Sequence, residues 1–241
     1  MNFGEMITMT RTMLGETDSD NSYFTDAEIQ TILNTSILRV ASDLPTNITY
    51  KEVVTTAATQ TYGLPTDFLQ LKDVQCYVTG GTNRRQLQRL NYDEFEAVAG
   101  GNTTMTGQPA YFRVEFGATS TAAGSPGGDI WLYPVPTDDS YTIRLIYFQK
   151  PTVLTTSTEV TELPEFLHSA VCFHTAWLLS MKDDNQSKIN NLAAMYKDEI
   201  NEAKKTVNKR DRSGPTFIKS PYGGSSLIKR GGFQARRGPL R

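Results

Sequence analysis

"FTDAEIQTILNTSILRVASDLPTNITYKEVV", residues 24–54, changes its hydrophobic period midway. Ile29, Ile32, Leu33, Ile37, Val40 and Leu44 recur at spacings that lay one apolar stripe along a helix. Thr25 and Glu28 have the S/T-x-x-E spacing of a capping box, in which each side chain serves a free backbone N–H of the other. Phe24 and Ile29 stand where a hydrophobic staple closes over the helix start. Pro45 ends the helix, since it lacks an N–H and its ring crowds the preceding turn. From Thr49 to about Lys150 the period is two instead of 3.6.

Six segments in that stretch read as strands: "YKEVVTTAATQTYGLP", "FLQLKDVQCYVTG", "RRQLQRL", "AYFRVEFG", "DIWLYPVP" and "YTIRLIYFQKP". They are rich in Thr, Val, Ile and Tyr, and Gly, Pro or Asp-Asp turns separate them. Such spacing predicts an antiparallel sandwich or small barrel. "NYDEFEAVAG" predicts a short helix ended by Gly100, and Phe116 to Asp129 a long hairpin loop. Ahead of the quoted stretch, Phe3, Met6, Ile7, Met13 and Leu14 predict a first helix that Gly15 breaks. After Pro151 the helical period returns. Thr161 is placed as a cap before Pro164 and Glu165, and a last helix over about 186–209 carries Ile189, Leu192, Tyr196, Ile200, Ala203 and Val207 on one stripe. The predicted fold is α+β: a four-helix bundle formed by N- and C-terminal helical hairpins, with an antiparallel β-sandwich or barrel insertion and an extended C-terminal arm. The expected boundaries are 1–48, 49–158, 159–210 and 211–241.

The chain has 241 residues and a hydrophobic fraction of 38%, enough for a core. No apolar run approaches the length of a membrane span. "MNFGEMITMTRTML" has no basic stretch followed by an apolar one, so no secretory signal is expected there. Cys76 and Cys172 are far apart and fit two buried thiols better than a disulfide framework. The net charge of −2 hides an asymmetry. Of 24 basic and 26 acidic residues, eleven and one lie from Lys204 onward, which leaves 13 and 25, about −12, for residues 1–203.

The closing segment "DRSGPTFIKSPYGGSSLIKRGGFQARRGPLR" is basic and rich in Gly and Pro. Such a composition buries too little apolar surface to fold alone. It suits an arm that meets something acidic, either nucleic acid or the body of a neighbouring identical subunit. Its apolar pegs are Phe217, Ile218, Tyr222, Leu227, Ile228 and Phe233, and Lys229, Arg230, Arg236, Arg237 and Arg241 supply charge.

Catalytic signals are weak. Both histidines and one cysteine fall in "LHSAVCFHTAW", and His168 and Cys172 share a helix face. A tetrahedral metal needs ligands from a second cluster, and the sequence holds none; His174 points away from that face. Phosphate-loop, dinucleotide, nucleophile-elbow and zincin motifs are missing. The pairs Asp18/Asp20, Asp138/Asp139 and Asp183/Asp184 fall in predicted turns, where Asp bonds its own backbone. The aromatics of "AYFRVEF" and "IWLYP" alternate as core residues do. No catalytic residue, metal or cofactor is expected.

"TDAEI", "TYGLPTDFL", "GQPAYFRVE", "IWLYPVPTDDSYTIRLIYFQKP" and "LPEFLHSAVCFHTAWLL", in this order, resemble the head-to-tail adaptor proteins of short-tailed double-stranded DNA bacteriophages. The similarity runs from about Thr25 to Lys209. The resemblance implies a homo-oligomeric ring of twelve copies at the virion neck. That ring lies beneath the portal protein, joins it to tail nozzle or tail fibre proteins, and lines the channel through which DNA passes. It implies no enzyme and no membrane partner. Two rivals remain: a nucleic-acid-binding protein that uses its basic arm, and an enzyme centred on His168 and Cys172.

Overall fold

The computed structural model describes residues 1–16, 23–99, 105–116, 128–182 and 185–212, the last five by their backbone alone. The chain divides into two units, Met1–Lys204 and Lys205–Arg241. Every strand and the first four helices belong to the first unit.

Helix α1 (Phe3–Leu14) starts at Asn2, whose side chain accepts from Glu5 N at 2.8 Å while Glu5 accepts from Asn2 N at 2.9 Å. It ends at Gly15, whose φ of 76° allows Glu16 N to reach back to Arg11 O at 2.9 Å. A side chain there would sit in the left-handed region that favours glycine. Helix α2 (Asp26–Asp43) opens with the expected reciprocal bonds between Thr25 and Glu28, 3.1 and 3.3 Å, and Phe24 and Ile29 are both buried beside them.

The helices do not form a four-helix bundle of two terminal hairpins. Helix α4 (His168–Ser180) is buried almost all round, through Ala170, Val171, Cys172, Thr175, Ala176 and Leu179. A helix buried on most sides takes the centre of a layer and not one corner of a square. Accordingly α4 packs against both α1 and α2. Segment 151–163 fills another side: Phe3 N donates to Glu159 O and Gly4 N to Ser157 O, both at 2.8 Å. Asn34 exchanges two hydrogen bonds with the Leu154 backbone, 2.9 and 3.0 Å. On helix α5 (Gln186–Arg212) the expected stripe faces inward: among the side chains described, Leu192, Tyr196, Ile200 and Ala203 are buried, and Ile189 and Val207 at its ends are half-buried. Thr161 does not cap α4. Its Oγ1 accepts from Leu163 N at 3.4 Å, and a 3-10 turn over Glu165–Leu167 leads into the helix.

Among the described residues eight strands form two separate four-stranded sheets that do not close into a barrel. They are β1 (Ile48–Val54), β2 (Thr61–Gly63), β3 (Phe68–Val78), β4 (Arg85–Gln86), β5 (Gln88–Arg89), β6 (Tyr111–Glu115), β7 (Asp129–Tyr133) and β8 (Tyr141–Gln149). The orders are β1-β8-β3-β4 and β2-β7-β6-β5. Two of the six predicted segments change sheet midway. The first bends at Ala58, whose φ of 59° falls between the end of β1 and the start of β2 on the other layer. "RRQLQRL" changes sheet at Leu87, which drops into the core between β4 and β5. A period of two survives such a corner, so the sequence pattern alone reads one strand where there are two. The pairing is not wholly antiparallel, because β5 runs parallel to β6.

The inner faces share one core: Val74, Cys76, Ile143, Leu145 and Tyr147 from one sheet, Phe112, Ile130 and Leu132 from the other, with Leu64 and Leu87. Helix α3 (Tyr92–Ala99) covers the outer face of the second sheet through Phe95 and Ala99, against Tyr133, Tyr111 and Trp131. The two cysteines are free thiols, both buried.

Candidate interaction surface

The residues that would serve chemistry lie in the helical core. His168 is 1% exposed and Cys172 not at all. His168 Nδ1 lies 2.9 Å from the Met1 amino group and Nε2 3.0 Å from Leu163 O. The amine donates and the carbonyl accepts, so this pair of partners requires a neutral ring protonated at Nε2. Burial is the largest influence lowering its pKa. Cys172 Sγ donates to Met6 O at 3.7 Å, and burial pushes the thiol up to about 11. A thiol that stays protonated at neutral pH is neither a nucleophile nor a ready metal ligand. Among the described residues no group of three or more His, Cys, Asp or Glu is placed to hold a metal.

His174 belongs to a different contact. Its Nδ1 lies 2.9 Å from Ser36 Oγ, and its ring meets Tyr196 at 4.8 Å and Trp177 at 5.5 Å between centroids. Tyr196 OH donates to Asp43 Oδ2 at 2.7 Å, and Arg39 holds the same carboxylate at 3.3 Å. This cluster moors α5 to α2 and α4. Burial, then Arg39, lowers the His174 pKa.

Both histidines are therefore neutral in the fold, with pKa values below the ordinary 6.5. Below pH 6.5 the unfolded chain binds protons that the folded chain does not, so stability falls as pH falls, until the folded-state values are passed. The melting temperature is expected to drop between about pH 7.5 and 5, with a shallower drop in His174→Gln. Equal slopes in the two proteins would refute the assignment to His174.

Arg113 on β6 is 7% exposed. Its guanidinium sits 4.6 Å from the Tyr92 ring, 4.9 Å from Phe95 and 4.6 Å from Trp131. Nη1 pairs with Glu96 at 2.9 Å and Nη2 with Glu115 at 3.2 Å. Its Nε and the Trp131 Nε1 have no acceptor among the described residues. Both are donors and cannot serve each other, so ring stacking and the two ion pairs must offset that cost. Of these rings, alternation in "IWLYP" marks only Trp131 as core, and it gives no sign of the cation beside it.

Two other surface features stand out. On the outer face of the first sheet Ile48, Tyr50 and Val54 are exposed, and Arg144 lies 3.7 Å from the Tyr50 ring centroid. Lys51 and Glu52 punctuate this edge strand, which opposes further pairing. Where β4 ends the first sheet and β5 the second, Arg84 just before β4, Arg85 on β4 and Arg89 on β5 are all exposed, and only Leu87 between them is buried. No carboxylate lies within ion-pair distance of these three among the described residues. A notch of about 410 Å³ adjoins Arg89 and is lined also by Asn91, Tyr92, Arg113 and Glu115. The signal in the sequence is three arginines in six residues without an acid, inside an acidic body.

The expected docking residues Phe217, Ile218, Tyr222, Leu227, Ile228, Lys229, Arg230, Phe233, Arg236, Arg237 and Arg241 lie outside the described residues. So do Asp18, Asp20, Asp183 and Asp184 and most of the Phe116 to Asp129 loop. Asp138 Oδ1 accepts from Ser140 N at 3.0 Å, as a turn aspartate does. Among the described residues no helix is long and apolar enough to cross a membrane.

A sequence profile of the family described as SU10 adaptor protein matches residues 1–219. Compared with the curated proteins, the chain matches none.

Proposed function

Since the chain belongs to the SU10 adaptor protein family, we propose that it forms a ring below the portal protein, joins the portal to the tail nozzle, and lines the DNA channel. The coarser statement follows from membership itself: this is a bacteriophage adaptor, a structural protein of the head–tail junction. The finer reading rests on one observation, a family match that spans both helical parts, the β sandwich and the start of the arm. The inert setting of His168 and Cys172 agrees with a structural role and gives the enzyme reading nothing to build on.

In this reading the copies number twelve, and the protein is made in the host cytoplasm before it joins the virion neck. Duplex DNA passes through the lumen without sequence-specific contacts. The acidic excess of residues 1–203 suits that passage, because a basic wall would hold phosphates and slow them. Helices 1–48 and 159–210 and the insertion 49–158 form the wall. The arm from 211 docks on the portal or on a neighbouring copy, with Phe217, Ile218, Tyr222 and Phe233 as its anchors.

Electron microscopy of the particle, with an antibody fragment against this chain, tests the reading. The fragment is expected to decorate a ring between portal and tail. Decoration of the capsid shell or of the tail tip would sink it.

A further inference from the structure

The geometry points to a role for the Arg84, Arg85 and Arg89 edge: it is a contact between copies of this chain, which takes carboxylates from an acidic surface of the next copy. This deepens the ring reading above and rests on it. The segment is the last strand of both sheets at once, β4 ending one and β5 the other. Its outward side is therefore free of pairing among the described residues, and Arg85, Gln86, Gln88 and Arg89 are all exposed there. Guanidinium forks bind carboxylates through two parallel hydrogen bonds, which fixes orientation as well as contact.

Charge complementarity selects the partner. Only 13 of the 24 basic residues lie in residues 1–203, against 25 acids, so a second copy offers a surplus of carboxylates. Three of those 13 stand within six residues here, none with an acid of its own chain at ion-pair distance among the described residues. Duplex DNA fits less well. Asp93 and Glu94 open α3 beside the notch, and Glu115 lines it, its side chain 42% exposed. A continuous phosphate chain would run across these fixed negative charges, whereas discrete carboxylates meet the arginines between them. The notch beside Arg89 has room for one inserted side chain, with Asn91 as a further donor.

Carbodiimide coupling reads the contact directly, because it joins an ammonium only to a carboxylate that touches it. The full chain carrying Arg89→Lys, half of it labelled with nitrogen-15, is assembled with portal protein, coupled, digested and weighed. Mixed-isotope crosslinks from position 89 to an aspartate or glutamate of another copy are expected. Crosslinks confined to one copy, crosslinks to portal alone, or none at all overturn the inference. As a second arm, R84E/R85E/R89E is expected to keep its circular dichroism, and its thermal transition apart from a small loss where Arg84 lies 5.6 Å over the Tyr77 ring, since these side chains are exposed. Its assembled fraction should fall at least about tenfold, and wild-type assembly should weaken as salt rises toward about 1 M. A triple variant that assembles like the wild type disproves this contact and leaves the ring reading intact; a wild-type particle without a ring removes that reading and this contact together. Loss of salt-sensitive duplex binding with assembly unchanged would give the arginines to nucleic acid and overturn the inference.

Discussion

A chain that ends after Arg212 is expected to fold as the full chain does and to fail in joining the portal. The apolar pegs set the size of this effect. Burying Phe217, Ile218, Tyr222 and Phe233 returns about 1.5–3 kcal/mol each, about 6–12 together. Ordering an extended segment on a partner costs about 2–5 kcal/mol. The surplus spans about 1–10 kcal/mol, and its midpoint of about 5–6 kcal/mol corresponds to more than a thousandfold in affinity. The arginines of the arm are expected to set the speed and register of encounter, an effect that salt would weaken. Two measurements decide: the melting transition of the truncated protein, which should match the full chain, and its co-sedimentation with portal, which should be lost. Truncated protein that co-sediments at wild-type affinity would show that the docking surface lies elsewhere.

Arg113→Ala is expected to destabilise the β part by about 2–4 kcal/mol. The change empties the space between Tyr92, Phe95 and Trp131 and strands Glu96 and Glu115. Each cation–π contact contributes about 0.5–2 kcal/mol. Removing one member of a buried ion pair costs about 3–5 kcal/mol, and less here because both carboxylates are over 40% exposed and can hydrate. Arg113→Met keeps the volume and loses the charge, so it separates the two contributions. It is expected to cost about 1 kcal/mol if packing dominates and nearly as much as alanine if the cation does. Urea unfolding followed by tryptophan fluorescence reads it, since Trp131 lies in the cluster. An alanine variant within about 0.5 kcal/mol of the wild type, the range of an ordinary surface change, would mean that α3 is held by Phe95 and Ala99 alone.

The adaptor class is legible in the sequence, through short motifs in a fixed order, and the family match over residues 1–219 agrees with it. Local features are legible for a physical reason: their causes lie within a few residues of their effects. Thr25 and Glu28 cap a helix across a reach of three residues, and Gly15 ends one at its own φ. Of the predicted stripe, Leu192, Tyr196, Ile200 and Ala203 are buried, and Ile189 and Val207 at its ends are half-buried. Tertiary structure alone decided the rest. The stripes of four helices suggest a bundle, but α4 is buried on most faces, its His168, His174, Thr175 and Ser180 included, and took the centre. "RRQLQRL" and the first strand segment each divide between two sheets, since alternation fixes which side chains point inward and says nothing about which neighbour the backbone pairs with. Arg113 sits among rings drawn from α3 and β7, and two of them, Tyr92 and Trp131, stand 39 positions apart. Contacts of that span are set by the folded chain's geometry and leave no periodic trace in the sequence.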